Sequence, residues 1–90
     1  MKLVPSNDGI HKYVAEFDDG TKTRFGAFGY QDYTQPPHDK ERRMLYLIRH
    51  KKNENWNNPK SAGALSRWIL WGDSISIATN LAAYKRRFNL

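Results

Sequence analysis

The sequence predicts an α+β domain: an N-terminal antiparallel β-hairpin of two or three strands packed on three C-terminal helices. Three observations carry this. Asp18-Asp19-Gly20 separates two stretches of alternating or β-prone residues, Pro36-Pro37 divides the chain, and beyond that pair the apolar spacing is helical. At 90 residues the chain forms one domain, 1–35 supplying the hairpin and an aromatic loop and 38–88 the helical part. An apolar fraction of 39% and an aromatic fraction of 13% are too high for a disordered segment.

Lys2 to Pro5 reads as a short edge strand, because Pro5 has no N–H to donate and limits how far the strand pairs. Ser6-Asn7-Asp8-Gly9 is a turn. Lys12 to Phe17 then alternates, with Tyr13, Ala15 and Phe17 on one face and Val14 and Glu16 on the other. Gly20 supplies the positive φ of a tight turn, and Thr21 to Phe25 returns as the partner strand. Phe28, Tyr30 and Tyr33 make the following loop aromatic, and the expectation is that it packs down to join hairpin and helices.

A first helix is expected from His38 or Asp39 to about Lys52, with Asp39 and Glu41 in its first turn and Arg49 to Lys52 in its last, as the helix dipole prefers. Asn53 to Asn58 is a polar linker interrupted by Trp56. Asn58-Pro59 reads as a cap and first residue of a second helix reaching Trp71. Ala62, Leu65, Trp68 and Ile69 share a stripe there, with Leu70 and Trp71 off it, so the helix is apolar on most sides and belongs in the centre. Gly72 ends it. Asp73 or Ser74 is expected to cap a third helix whose Ile77, Leu81, Tyr84 and Phe88 form a core face.

The net charge of +6 is unevenly spread. Residues 1–38 hold four Lys/Arg against five Asp/Glu, residues 39–60 seven against three, and residues 61–90 four against one. Basic character concentrated in the helical half points to a polyanionic partner. On the first helix, Met44, Leu45, Leu47 and Ile48 point one way and Arg42, Arg43, Tyr46, Arg49 and His50 the other, within about 120°. The expectation is that the aliphatic set is buried and the cationic set faces solvent. Guanidinium forks bind phosphate bidentately, and a tyrosine ring stacks on a base. Lys51, Lys52, Lys85, Arg86 and Arg87 would extend the patch; the last three equally suit a dipole-matched helix end. An ordinary solvated helix face is the plainer reading of the same charges. Contact with six phosphates would give log affinity a slope of about −5 against log salt on duplex.

Other chemistry finds little footing. The absence of cysteine removes disulfides, thiol catalysis and Cys-based zinc sites, and fits a reducing compartment. His38 and His50 would lie roughly 18 Å apart on one helix, so no metal site is expected among His38, Asp39, Glu41 and His50. No cofactor motif exists: Gly26-Ala27-Phe28-Gly29 lacks the Lys-Ser/Thr of a phosphate loop. No apolar run nears the roughly 18 residues of a membrane span. A small nuclease built on Tyr30 or Tyr33 with His38, Arg42 and Arg49 is the enzymatic alternative. The three tryptophans, Trp56, Trp68 and Trp71, fit the hairpin–helix interface better than a binding platform.

Two blocks carry a resemblance. Lys12-Tyr13-Val14-Ala15-Glu16-Phe17-Asp18-Asp19-Gly20 leads through Phe25-Gly26-Ala27-Phe28-Gly29-Tyr30, and Tyr46-Leu47-Ile48-Arg49-His50, Trp56 and Ser61-Ala62-Gly63-Ala64-Leu65-Ser66-Arg67-Trp68 follow. Over roughly residues 12–88 the chain resembles a small family of uncharacterised proteins of large double-stranded DNA viruses of algae and protists, phycodnavirus- or mimivirus-like. Pro36-Pro37 is individual to this sequence. The resemblance implies a viral protein, in the virion or the infected cell, with no activity to carry over. The expectation is a non-enzymatic binding protein that holds nucleic acid, DNA rather than RNA, through phosphate contacts. A minor capsid protein meeting acidic capsid surfaces is the alternative.

Overall fold

The computed structural model describes all of residues 1–90 and has the α+β architecture expected. A three-stranded antiparallel sheet, β1 (Lys2–Pro5), β2 (His11–Glu16) and β3 (Lys22–Ala27), runs in that spatial order. Helix α1 (Lys40–Lys51) follows. Helix α2 begins as an α-helical turn, Ala62–Leu65, and continues unbroken as a π-helical turn, Ser66–Leu70. Helix α3 (Ile77–Phe88) closes the chain.

Sheet register follows from the turns. Tyr13 faces Phe25 across β2–β3, and Leu3 faces Ala15 across β1–β2. The Asp18–Gly20 turn closes with the Phe17 amide donating to Thr21 at 2.9 Å and the Gly20 amide to Phe17 at 3.0 Å. Alternation places Ala15, Phe17 and Phe25 on the inner face, as the sequence requires.

Against that face lies α2. Leu65, Ile69, Leu70 and Trp71 join the three sheet residues, Tyr33 and Tyr84 in one core. Ile77, Leu81 and Phe88 of α3 pack half-buried at its edge, so the face expected for α3 is the one used. The π-turn is marked by the Trp71 amide donating to Ser66 at 3.0 Å, five residues back.

Both helix starts fall later than expected, because serine caps win. The Ser61 hydroxyl accepts from the Ala64 amide at 3.1 Å, while Asn58 is spent on a turn that donates Lys60 N–H to its own side chain. Similarly Ser76, not Asp73 or Ser74, caps α3. The connection between α2 and α3 is organised by buried Asn80, whose amide donates to Ile69 O at 2.9 Å and Ser74 O at 2.7 Å and accepts from Ser74 N at 3.1 Å. Gly72 lies so close that a Cβ there would meet Asn80 Cγ at 2.8 Å, so only glycine fits.

The aromatic loop is only partly packed. Tyr33 is buried and donates its amide to Leu70 O at 3.2 Å, but Phe28 is 65% exposed and Tyr30 73%. Two tight glycine turns, Gly26 (φ 80°) and Gly29 (φ 87°), swing Phe28 and Tyr30 outward between them. What pins the loop is polar: buried Asp32 accepts from Lys12 Nζ at 2.6 Å and from the Thr34 amide at 2.8 Å.

Carboxylates at the sheet ends hold the turns. Asp18 meets the Met1 ammonium at 2.7 Å, Asp19 pairs with Lys60, and Asp8 accepts from the His11 amide at 2.8 Å. Each is held below the ordinary value of 3.8, Asp8 mainly by its His11 amide bond, Asp18 by the N-terminal ammonium and Asp19 by the Lys60 bond. Groups depressed in the folded state contribute stability above pH 3.8, and that contribution is lost as the pH falls through their folded values. The thermal midpoint should therefore drop as the pH falls below 3.8, and Asp19→Asn should drop less steeply; a midpoint unchanged by acid contradicts this.

Candidate functional site

Helix α1 begins as the sequence indicates. Asp39 caps it, its carboxylate accepting from the Glu41 amide at 3.0 Å and the Arg42 amide at 3.1 Å. The helix is rolled away from the expected orientation: Arg42 and Arg49 stay outward as expected, but of the aliphatic set only Leu47 is half-buried. No α1 residue is buried, and Met44 is 62% exposed, Leu45 45% and Ile48 57%. The face turned toward the protein carries Arg43, Tyr46 and His50.

Helix-end chemistry explains the roll. Trp71 and Gly72 end α2, where the last carbonyls lack intrahelical partners. Arg43 Nε donates to Trp71 O at 3.1 Å and to Gly72 O at 3.0 Å, and its Nη2 donates to Asp73 at 2.9 Å. Arg67 Nη1 adds a second donor to Trp71 O at 3.1 Å. Beside it the Tyr46 ring stacks on Trp71, centroids 4.5 Å apart and 8° from parallel, and on His50 at 4.2 Å. Burial, with Glu54 nearby, pushes the Tyr46 hydroxyl well above its ordinary pKa. His50 Nδ1 lies 3.2 Å from Glu54, which also accepts from Trp56 Nε1 at 3.0 Å. Arg43, Tyr46 and His50 are therefore docking residues, not members of an outward patch.

The remaining cations are dispersed. Arg42 and Arg49 stay exposed on the flank of α1, and Lys51 and Lys52 are exposed at its end. Lys85, Arg86 and Arg87 lie in the last turn of α3, on a separate surface. There Arg87 sits 3.5 Å from the Trp68 ring centroid, and Arg67 sits 4.0 Å from Trp68 and 5.2 Å from Trp56. Those stacks lie within the helical half; of the three tryptophans expected at the hairpin–helix interface, Trp71 joins the core shared with the sheet, Trp68 packs at its edge and Trp56 stays with Arg67 and Trp68. Burial lowers the Arg67 pKa, with the Arg43 charge adding to the effect. The ten cationic and aromatic residues picked from the sequence do not form one continuous surface.

What docking does create is a cleft of 860 Å³ between the hairpin and α1. Phe25, Gly26, Leu70 and Trp71 form its floor, where a Cβ on Gly26 would meet Leu70 Cδ1 at 2.9 Å. Arg42, Leu45 and Arg49 stand on one wall; Ile10, Arg24 and Tyr30 stand on the other. Four carboxylates also line it, but three are engaged: Asp32 with Lys12, Asp39 as the α1 cap and Glu54 with His50. Arg42 and Arg49 have no carboxylate partner, and Arg24 only a loose one, Asp8 at 3.6 Å. Arg24 and Ile10 could not be assigned from the sequence, since nothing in a linear pattern shows that the hairpin faces α1, and Tyr30 stands beside Arg42 and Arg49 only in the nuclease alternative.

No group of three or more His, Asp or Glu side chains is arranged to hold a metal ion. No helix is long and apolar enough to cross a membrane. Of the residues considered for a nuclease, Tyr30, Arg42 and Arg49 line the cleft, whereas His38 lies outside its lining at φ 54° with Nδ1 3.0 Å from Tyr33 O, and buried Tyr33 is packed under Arg43 at 5.5 Å.

Residues 1–50 match the model of a family of unknown function, DUF5754. That span includes both walls of the cleft and the docking face of α1, while the α2 floor lies beyond it. Comparison with curated proteins and with solved structures returned no match in either case.

If α1 is held by capping and stacking, Arg43→Met should cost about 1–3 kcal/mol, because it strands the buried Gly72 carbonyl and leaves Trp71 O to Arg67 alone. Arg42→Ala and Arg49→Ala should each change stability by less than about 0.5 kcal/mol. Urea unfolding of the three variants checks this; equal losses at Arg43 and Arg42 would contradict it.

Proposed function

The chain belongs to the DUF5754 family of unknown function, and we propose that it binds single-stranded nucleic acid in the cleft between the hairpin and α1. The observation that carries the reading is that Arg24, Arg42 and Arg49 line one cleft in which most of the carboxylates are already engaged. Phosphate is the ligand such guanidiniums suit best. Exposed Tyr30 on the opposite wall offers a ring for a base, and stacking requires a base free of its partner strand. Exposed Ile10, on the same wall as Tyr30, offers apolar surface to the rest of the base.

Such contacts position the strand without reading its sequence. The proposal assigns no catalytic step. The strand is taken as DNA rather than RNA on the resemblance to proteins of large DNA viruses, a setting in which a virion or infected-cell role follows. An acidic protein surface would use the same three arginines, and competition between polyglutamate and an oligonucleotide separates the two.

The expected salt dependence is smaller than a fully cationic α1 would give. Three neutralised phosphates on a single strand correspond to a slope of about −2 in log affinity against log salt. Fluorescence anisotropy with a labelled thymidine oligonucleotide should show that slope. Binding should weaken by about tenfold in Arg42→Ala/Arg49→Ala and by several-fold in Tyr30→Ala. Arg86→Ala, outside the cleft lining, should bind as the parent does. Absence of binding at low salt, or equal losses at Arg86 and Arg42, would remove the reading. Competition by polyglutamate as effective as by the oligonucleotide would favour the acidic-protein alternative.

A further inference from the structure

Docking α1 through Arg43, Tyr46 and His50 leaves its aliphatic side without a partner. Met44, Leu45 and Ile48 are adjacent on the surface and each is about half exposed or more. At 100° per residue Met44, Ile48, Glu41, Lys52 and Leu45 cover about 100° of the helix. Single exposed apolar side chains are ordinary, but a contiguous aliphatic stripe on a helix marks a contact surface.

The charges on this stripe say what fits it. Glu41 lies at its N-terminal end, Lys51 and Lys52 at its C-terminal end, and none of the three takes part in an ion pair within the protein. A second α1 laid antiparallel across the stripe, with the two-fold between Met44 and Ile48, sets Met44 of each copy against Ile48 of the other. The same register sets Glu41 against Lys51, twice. The helix dipoles then run in opposition, which is the favourable sense. Self-complementarity of this kind is what an isologous interface needs. A membrane surface suits the stripe less well, because Glu41 lies within it and no aromatic residue does.

We propose that the protein forms a two-fold symmetric homodimer through antiparallel contact of α1 across Met44 and Ile48. The inference is independent of the nucleic-acid reading. One twelve-residue helix per copy makes an interface at the small end of the usual range, so the dimer is a weak, concentration-dependent one in the micromolar range. Arg42 and Arg49 stand about 100° round from the middle of the stripe, on the side the symmetry axis brings together. The dimer therefore presents both clefts in one direction.

Sedimentation equilibrium of the full chain tests this over a range from about 5 to 500 µM, which brackets micromolar affinity. The mass should rise from one chain toward two. Met44→Glu/Ile48→Glu should stay monomeric with an unchanged far-UV circular dichroism spectrum. Glu41→Lys should raise the dissociation constant by about tenfold, and Glu41→Lys/Lys51→Glu should recover it. A parent protein that stays monomeric throughout, whether or not it then binds vesicles, overturns the proposal. So does a dimer that survives Met44→Glu/Ile48→Glu, or association that runs on past two chains.

Discussion

The carbonyl oxygens of Trp71 and Gly72 are the acceptors on which the arrangement of the helical half depends. They end α2, the element at the centre of the core, and a helix end there must find donors. Arg43 reaches both from α1, Arg67 reaches one from within α2, and the Tyr46 ring lies flat on the Trp71 indole beside them. A guanidinium satisfies such acceptors with its charge and its fork together, and the stacked rings add contact beside the bonds. That combination outweighs the burial of three aliphatic side chains, each worth about 1.5–3 kcal/mol if fully covered. A short helix on the rim of a small domain could not have covered them fully.

Two consequences follow from the one contact. Turning Arg43, Tyr46 and His50 inward carries Arg42 and Arg49 to the flank, where they face Arg24 and Tyr30 across a cleft instead of forming a broad basic face. It also turns Met44 and Ile48 outward. The cleft and the aliphatic stripe are therefore adjacent products of a single docking geometry, and neither exists if α1 rolls over. A Lys12–Asp32 pair plays the matching part on the other wall, fixing the loop that carries Tyr30 against β2. Its desolvation cost is offset by further bonds from Thr34 to Asp32 and from Lys12 to Gln35.

Local signals were readable and the docking was not. Asp-Gly with flanking alternation located β2 and β3, Asp39 located the start of α1, and the 3.6-residue spacing of Ile77, Leu81, Tyr84 and Phe88 gave the inner face of α3. Each of these depends on neighbours in sequence. The face of α1 depends on Trp71 and Gly72, 28 and 29 residues beyond Arg43, and the amphipathic rule applied to α1 alone points the other way. Helix starts slipped because a serine three residues before an amide is as good a cap as an asparagine, and tertiary bonds from Tyr84 to Pro59 O and from Asn80 to Ser74 decided between them. Of the candidate site, Arg42 and Arg49 were legible as free cations. The sequence groups Tyr30 with them only as an enzymatic alternative, and Arg24 became part of the site only once hairpin and helix stood opposite each other.

The roll of α1 about its axis is the quantity on which this account stands, and nuclear Overhauser contacts in solution measure it directly. Contacts are expected between the Tyr46 ring and the Trp71 indole, with the Tyr46 ring sheltered from a soluble paramagnetic agent and no contact from the Ile48 and Met44 methyl groups to Phe25 or Leu70. Contacts from those methyl groups to Phe25 or Leu70, with the Tyr46 ring open to the agent, would contradict the account.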